Sequence, residues 1–166
     1  MTVNKGYNVN ILEIISVREK VNICNAILRA LPSWFGIESS IVEYVEQVQA
    51  MPFYAAFDGD KPVGFVAVKV HTRFAAEVYV AGVLEAYHRA GIGRRLIACC
   101  EAYCSSNKIE FLTVKTLADS HESESYEKTR LFYESVGFRP LEVFPLLWDE
   151  NNPCLFMAKN IMIENS

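Results

Sequence analysis

The stretch Val83-Leu84-Glu85-Ala86-Tyr87-His88-Arg89-Ala90-Gly91-Ile92-Gly93-Arg94-Arg95 runs from the apolar end of a strand, through a turn holding two glycines, into the first turn of a helix. A helix start leaves amide hydrogens without intrahelical partners, and the positive end of the helix dipole lies in the same place. Such a turn is a ready anion site, and glycines let a phosphate reach the backbone with no side chain in between. Arg89, Arg94 and Arg95 add positive charge, so the natural guest is a pyrophosphate. A Walker loop is excluded because no Gly-Lys-Ser or Gly-Lys-Thr follows. A dinucleotide fingerprint fits poorly: Leu96 stands where its third glycine belongs, and seven residues separate Val83 from Gly91 where a tight turn is required.

Working outward, the pattern predicts a strand over 77–83 and a helix to about residue 104, with Ile92, Leu96, Cys99, Cys100 and Tyr103 on one face. Upstream, 53–57 and 62–70 flank Asp58-Gly59-Asp60-Lys61, which reads as a β-hairpin. A strand over 8–15 comes first, then a helix over 17–31 that Pro32 stops, then a second helix to about residue 50. Ser40 with Glu43 three residues on is the expected capping box of that second helix. Downstream come a strand over 109–117, a polar loop, and a helix capped by Ser125 that ends at Gly137. Two last strands, 138–144 and 154–161, are expected to be joined by a loop over 145–153. The order β-α-α-β-β-β-α-β-α-β-β specifies a mixed α/β sheet with helices against its faces, because helical excursions permit parallel neighbours while the hairpin forces antiparallel ones.

The chain has 166 residues, which predicts one domain over 1–166. Sixteen Lys and Arg against twenty Asp and Glu give a net charge of -4, which argues against nucleic acid and anionic membrane partners and favours a cationic acceptor. No window is long and apolar enough for a membrane helix and the N-terminus lacks a secretory core, so the expected location is the cytoplasm. Five cysteines with no C-x-x-C pair argue against disulfides and zinc. His71 and His121 have no second histidine at ligand spacing, so no metal is expected.

The run Gly82-Val83-Leu84-Glu85-Ala86-Tyr87-His88-Arg89-Ala90-Gly91-Ile92-Gly93-Arg94-Arg95-Leu96 resembles the acetyl-CoA signature, (Gln/Arg)-x-x-Gly-x-(Gly/Ala), of the GNAT superfamily of N-acetyltransferases. About forty residues later, Leu131-Phe132-Tyr133-Glu134-Ser135-Val136-Gly137-Phe138 is similar to the family helix that ends in Phe-Tyr-x-x-x-Gly-Phe. The resemblance spans roughly 9–161 and implies a mixed, mostly antiparallel sheet of six to seven strands flanked by about four helices. It further implies acetyl-CoA as co-substrate, with backbone groups of Ala81, Gly82 and Val83 pairing with the pantetheine arm. Amides from Arg89 through Ala90, Gly91, Ile92, Gly93 and Arg94 would hold the pyrophosphate, and a strand amide near Val83 would meet the oxyanion. His88 stands where the family pattern has Gln or Arg.

Acyl transfer from a thioester to an amine needs a neutral amine, a polarised carbonyl and a proton for the leaving thiolate. On a helical wheel Leu131, Phe132, Ser135 and Val136 form the expected buried face and Tyr133 lies off it, so by pattern alone Tyr133 is a partly packed edge residue. By resemblance it is the general acid. A phenol of ordinary acidity protonating an ordinary thiolate works uphill by only ~2 kcal/mol. The strand position where many relatives carry a basic Glu is Thr113, which leaves Glu77, Glu85 and Glu142 as acidic candidates, each expected to be a solvated carboxylate. Trp34 with Phe35, and Trp148 with Phe144 and Leu147, are either core anchors or, by resemblance, walls of an acceptor pocket. The acceptor is expected to be a primary amine of a small molecule or peptide, and an exposed edge beside the last strand permits a homodimer. The rival expectation is a non-catalytic acyl-CoA-binding module.

Overall fold

Serine at position 16 sets the start of the first helix. Its hydroxyl accepts from the Glu19 amide at 3.3 Å, capping α1 (Val17–Arg29), which follows strand β1 (Val9–Glu13). The computed structural model describes residues 6–119 and 123–161. The remaining elements are α2 (Glu38–Gln47), β2 (Phe53–Asp58), β3 (Lys61–Val70), β4 (Ala75–Val83), α3 (Ile92–Ser106), β5 (Phe111–Leu117), α4 (Glu124–Ser135), β6 (Arg139–Asp149) and β7 (Asn152–Asn160), with short 3₁₀ turns at Val48–Ala50 and Glu85–Tyr87. The strands form a seven-stranded sheet in the order β1-β2-β3-β4-β5-β7-β6, and β4 with β5 is a parallel pair. The expected order of elements and the mixed, mostly antiparallel sheet are both present.

Backbone contacts divide the chain into two compact units. The first holds residues up to 67 together with 80–96. In it β1 pairs with β2, and β2 turns into β3 through Gly59-Asp60, where Gly59 adopts φ 62° as a two-residue hairpin turn requires. Phe53 and Phe65 are fully buried and stack at 5.2 Å, Ile27 and Leu28 of α1 are buried in the same unit, and Val66, next to Phe65 along β3, is buried on the opposite face of the sheet. Burial of each large side chain contributes roughly 1.5–3 kcal/mol. Lys20 is buried as well, its ammonium donating to the Met51 carbonyl at 2.7 Å and the Gln49 carbonyl at 3.4 Å.

The second unit holds 68–79 and 97–161 of the described chain. Here β4 runs parallel to β5 from Ala75–Phe111 to Val78–Val114, and β7 lies antiparallel to β5 on its other side. Leu112, Met157, Phe138, Cys100 and Cys104 are buried within it. Arg130 of α4 donates to the Leu117 carbonyl at 2.8 Å, which docks that helix on β5.

Three local expectations change. Helix α2 starts at Glu38, with Ile37 as its cap and no side-chain capping bond, so Ser40 lies inside the first turn. Glu38 is drawn there by a paired bond to the Arg29 guanidinium, 2.7 Å on each arm, and the same contact holds the Glu38 carboxyl below its ordinary pKa. The side-chain cap is found on the other helix, α1, where Ser16 Oγ accepts from Glu19 N. Helix α4 is capped by Ser123, whose hydroxyl accepts from the Tyr126 amide, two residues before the expected Ser125. The loop expected over 145–153 is instead strand on both sides of a two-residue turn, Glu150-Asn151, which the Asp149 carboxylate closes by accepting from Asn151 N and Asn152 Nδ2. Pro145 is tolerated because β6 is the edge strand and its ladder is irregular between Phe144 and Asp149.

Lys20→Met tests the buried ammonium. It strands a buried Met51 carbonyl, so thermal unfolding is expected to show a loss of about 1–3 kcal/mol, a fall in Tm of several degrees.

Candidate active site

The turn after β4 is shaped by backbone dihedrals before any side chain acts. Arg89 has φ 65° and Gly91 φ 77°, two left-handed residues separated by Ala90. A non-glycine residue in that region costs of order 1–3 kcal/mol and persists only where its surroundings impose it. Successive amides in such a turn converge into an anion-binding concavity. Helix α3 follows at once, and its first helical bond runs from Arg95 N to Gly91 O at 3.2 Å, so the amides of Ile92, Gly93 and Arg94 precede the ladder. A Cβ built on Gly91 meets nothing within 4 Å, so its positive φ and not crowding is what favours glycine there.

Both ends of the turn are clamped. Before it, the Tyr87 hydroxyl donates to Asp58 at 2.7 Å, a bond that raises the phenol's pKa, and the Tyr87 ring lies 4.5 Å from that of Tyr7. After it, Arg95 donates to the Val9 carbonyl at 2.9 Å. Arg95 therefore braces β1, and Arg89 and Arg94 are the exposed cations left at the turn. The amides of His88 and Ala90 turn inward to Glu85 O and Tyr87 O. Arg89, Gly91, Ile92, Gly93 and Arg94 thus remain of the amides expected to face an anion. The His88 ring reaches back to the Val83 carbonyl at 2.7 Å. That carbonyl closes β4, whose β5 ladder stops at Val78, so Ala81, Gly82 and Val83 keep the backbone groups that β5 does not take.

In the second unit Tyr133 is buried, 8 % exposed, whereas Leu131 is 58 % exposed, the reverse of the expected wheel. The cause lies in how α4 ends. Gly137 has φ 101°, Phe138 N donates to Tyr133 O at 3.0 Å and Gly137 N donates to Glu134 O at 3.1 Å, a Schellman cap. Its apolar pair is Tyr133 with Phe138, whose rings meet edge to face at 5.4 Å, and Phe132 lies 5.3 Å away on the other side. The Phe-Tyr-x-x-x-Gly-Phe run is therefore a helix-ending device that fixes the Tyr133 ring.

Glu77, expected at the surface, is 4 % exposed and is the one buried carboxylate among the described residues. Its Oε1 accepts from His71 Nε2 at 2.7 Å and from Lys115 Nζ at 3.3 Å. The register pairs Glu77 with Thr113, and the Thr113 hydroxyl is turned to the Ala76 carbonyl. Glu85 and Glu142 are exposed. The signal that could have found Glu77 is a lone charge inside the apolar run Ala75-Ala76-Glu77-Val78, whose flanking strands are themselves core. Trp34 is half-buried with its ring on His88, Phe35 lies edge-on to Tyr44, and Trp148 is exposed. His121 lies outside the described residues. No group of side chains suited to a metal occurs among the described residues, and no helix is long and apolar enough to cross a membrane.

Residues 49–140 match the family model of the acetyltransferase (GNAT) domain. Among solved structures, a GNAT-family protein from Desulfovibrio desulfuricans superposes with a TM-score of 0.78 at 16 % identity, covering 93 % of this chain and 99 % of its own. An aminoglycoside 6'-N-acetyltransferase complexed with coenzyme A gives 0.73 at 22 % identity, with 95 % and 99 % covered. The ribosomal-protein-S18-alanine N-acetyltransferase of Escherichia coli gives 0.73 at 16 % identity, with 95 % and 97 % covered. No match emerges among curated protein sequences.

The cysteines stand apart from this chemistry. Burial pushes the Cys24 thiol up to about 12, and those of Cys104 and Cys154 up to about 11. The Cys100 thiol is likewise raised well above its ordinary value, by burial first and by neighbouring groups second. Only a thiolate attacks or is alkylated readily. Brief iodoacetamide treatment of the native protein near neutral pH is therefore expected to label Cys99 alone, as counted by peptide mass spectrometry.

Proposed function

The chain belongs to the GNAT acetyltransferase family, and on that premise we propose that it carries the acetyl group of acetyl-CoA directly to a primary amine of a small molecule or peptide. The observation that carries this reading is the left-handed turn at Arg89 and Gly91 opening α3, a diphosphate cradle clamped at both ends. In it Arg89, Gly91, Ile92, Gly93 and Arg94 offer amides to the pyrophosphate, and Ala81, Gly82 and Val83 offer strand groups to the pantetheine arm. No cysteine is needed as an acyl carrier, in keeping with the burial of four of the five.

In the proposed reaction the amine nitrogen attacks the thioester carbonyl, Glu77 takes the proton it releases, the carbon–sulfur bond breaks, and Tyr133 protonates the departing thiolate. Support for Glu77 is its burial together with two donors, His71 Nε2 and Lys115 Nζ, on one of its oxygens, which hold the carboxyl group in one place. Support for Tyr133 is the Schellman cap that holds its ring in one place. His71 and Lys115 act through Glu77 as positioning residues.

The test is coenzyme A thiol release across a panel of amines, with coenzyme affinity measured separately. Tyr133→Phe and Glu77→Gln are each expected to lower kcat about 100-fold while leaving coenzyme affinity within a few-fold. Tight binding with no thiol release for any amine would overturn catalysis in favour of a binding module, and near-normal turnover in either variant would remove that residue from the mechanism.

The proposal includes a homodimer. Strand β6 ends the sheet and exposes Leu141, Val143, Leu146, Leu147 and Trp148, an apolar edge of the kind that pairs with a second copy. Light scattering is expected to give twice the chain mass, and Leu146→Lys to return the monomer. A monomeric wild type at tens of micromolar would end this part of the reading.

A further inference from the structure

Helix α4 leaves its last carbonyls without helical partners, and the chain answers this in two ways. The Schellman bonds take two of them, Tyr133 O through Phe138 N at 3.0 Å and Glu134 O through Gly137 N at 3.1 Å. The carbonyl of the cap residue, Val136, is taken by an ammonium: Lys159 Nζ of β7 donates to it at 2.6 Å. A cation in that place also meets the negative end of the helix dipole. The same ammonium donates to Glu101 Oε1 on α3, so one lysine ties the end of α4 to its neighbour helix. A Cβ added to Gly137 would stand 3.1 Å from both Cε and Nζ of Lys159. Glycine at 137 therefore serves twice, through its φ of 101° and through the room it leaves for the lysine.

Lys159 reaches this place because of its register. It pairs with Leu112 across β7 and β5, and partners in register stand on one face of the sheet, here the face that carries the buried Leu112. Two cations thus tie α4 to the strands through carbonyls: Arg130 of the helix on Leu117 O of β5, and Lys159 of β7 on Val136 O of the helix. Tyr133 lies midway between Arg130 and Val136, and the ring it meets edge to face belongs to Phe138, just past Gly137. We propose that Lys159 is a positioning residue for the proton donor: its ammonium fixes the cap over 136–138, and the cap fixes the Tyr133 phenol. This rests on the reading of Tyr133 as general acid given above. A misplacement of about 1 Å at a reacting group can cost on the order of 100-fold in rate, so a tie at the helix end is felt at the phenol.

Lys159→Met keeps most of the stem and removes the donors. In the thiol-release assay it is expected to lower kcat about tenfold, with coenzyme A affinity within about twofold of wild type. In the Tyr133→Phe background the same change is expected to cost less than about twofold, because the phenol it positions is gone. Fluorine NMR of fluorotyrosine-labelled protein, with the Tyr133 line identified by its absence in Tyr133→Phe, is expected to show that line shifted or broadened in Lys159→Met. Glu101→Ala, which frees the ammonium from α3 but leaves it Val136 O, is expected to cost about threefold in kcat, again only when Tyr133 is present, and carries the test should Lys159→Met not fold. Unchanged kcat, or an equal loss in both backgrounds, would overturn the positioning role while leaving Tyr133 as the acid. Near-normal turnover in Tyr133→Phe would overturn both.

Discussion

A helix cannot begin without exposing amide hydrogens, and the candidate site of this protein is built on that obligation. At the start of α3 the exposed donors follow two left-handed residues, Arg89 and Gly91, a backbone pattern of the kind that gathers amides toward an anion. An exposed left-handed arginine is not a conformation the chain would choose alone. It is imposed by Tyr87 anchored on Asp58 before the turn and Arg95 anchored on Val9 after it. These anchors spend two polar side chains on holding the backbone in place, which leaves the amides to hold the ligand.

The second unit uses the same economy of means. Its most recognisable sequence run serves first to end a helix: Gly137 takes the positive φ, and the ring pair Tyr133 and Phe138 closes the cap. A side chain that is part of a cap cannot drift, which is the quality that the role proposed for Tyr133 needs. Glu77 reaches a comparable rigidity by burial, with His71 and Lys115 supplying the hydrogen-bond donors that a buried carboxyl group requires.

Reading the sequence failed where competing signals of equal local quality existed. Ser16 and Glu19 and Ser40 and Glu43 are the same capping pattern, yet only Ser16 caps a helix, and α2 starts ahead of Ser40 at Glu38, which pairs with Arg29 of the preceding helix. Ser123 and Ser125 are both good caps two residues apart. Pro145 argued for a loop, because a proline cannot serve a central strand, and nothing local says that β6 is at an edge. The wheel for α4 misplaced Leu131 and Tyr133 because hydrophobicity ranks leucine above tyrosine, whereas the docking of Arg130 on Leu117 O and the cap geometry turn the other face inward.

What the sequence by itself determined is what depends on neighbours along the chain: the element order, the Asp-Gly hairpin, the glycine turn before α3, the glycine that ends α4, and through these motifs the family. What only the tertiary structure decided is what depends on residues far apart in the chain. Glu77 becomes a buried carboxylate because His71 and Lys115 are brought to its oxygen, Arg95 becomes a brace because Val9 lies beside it, and the His88 ring meets both the Val83 carbonyl and Trp34. Local pattern sets backbone conformation through sterics and capping, but burial, charge pairing and hydrogen-bond partners are properties of the folded neighbourhood, and no spacing rule along the chain encodes them.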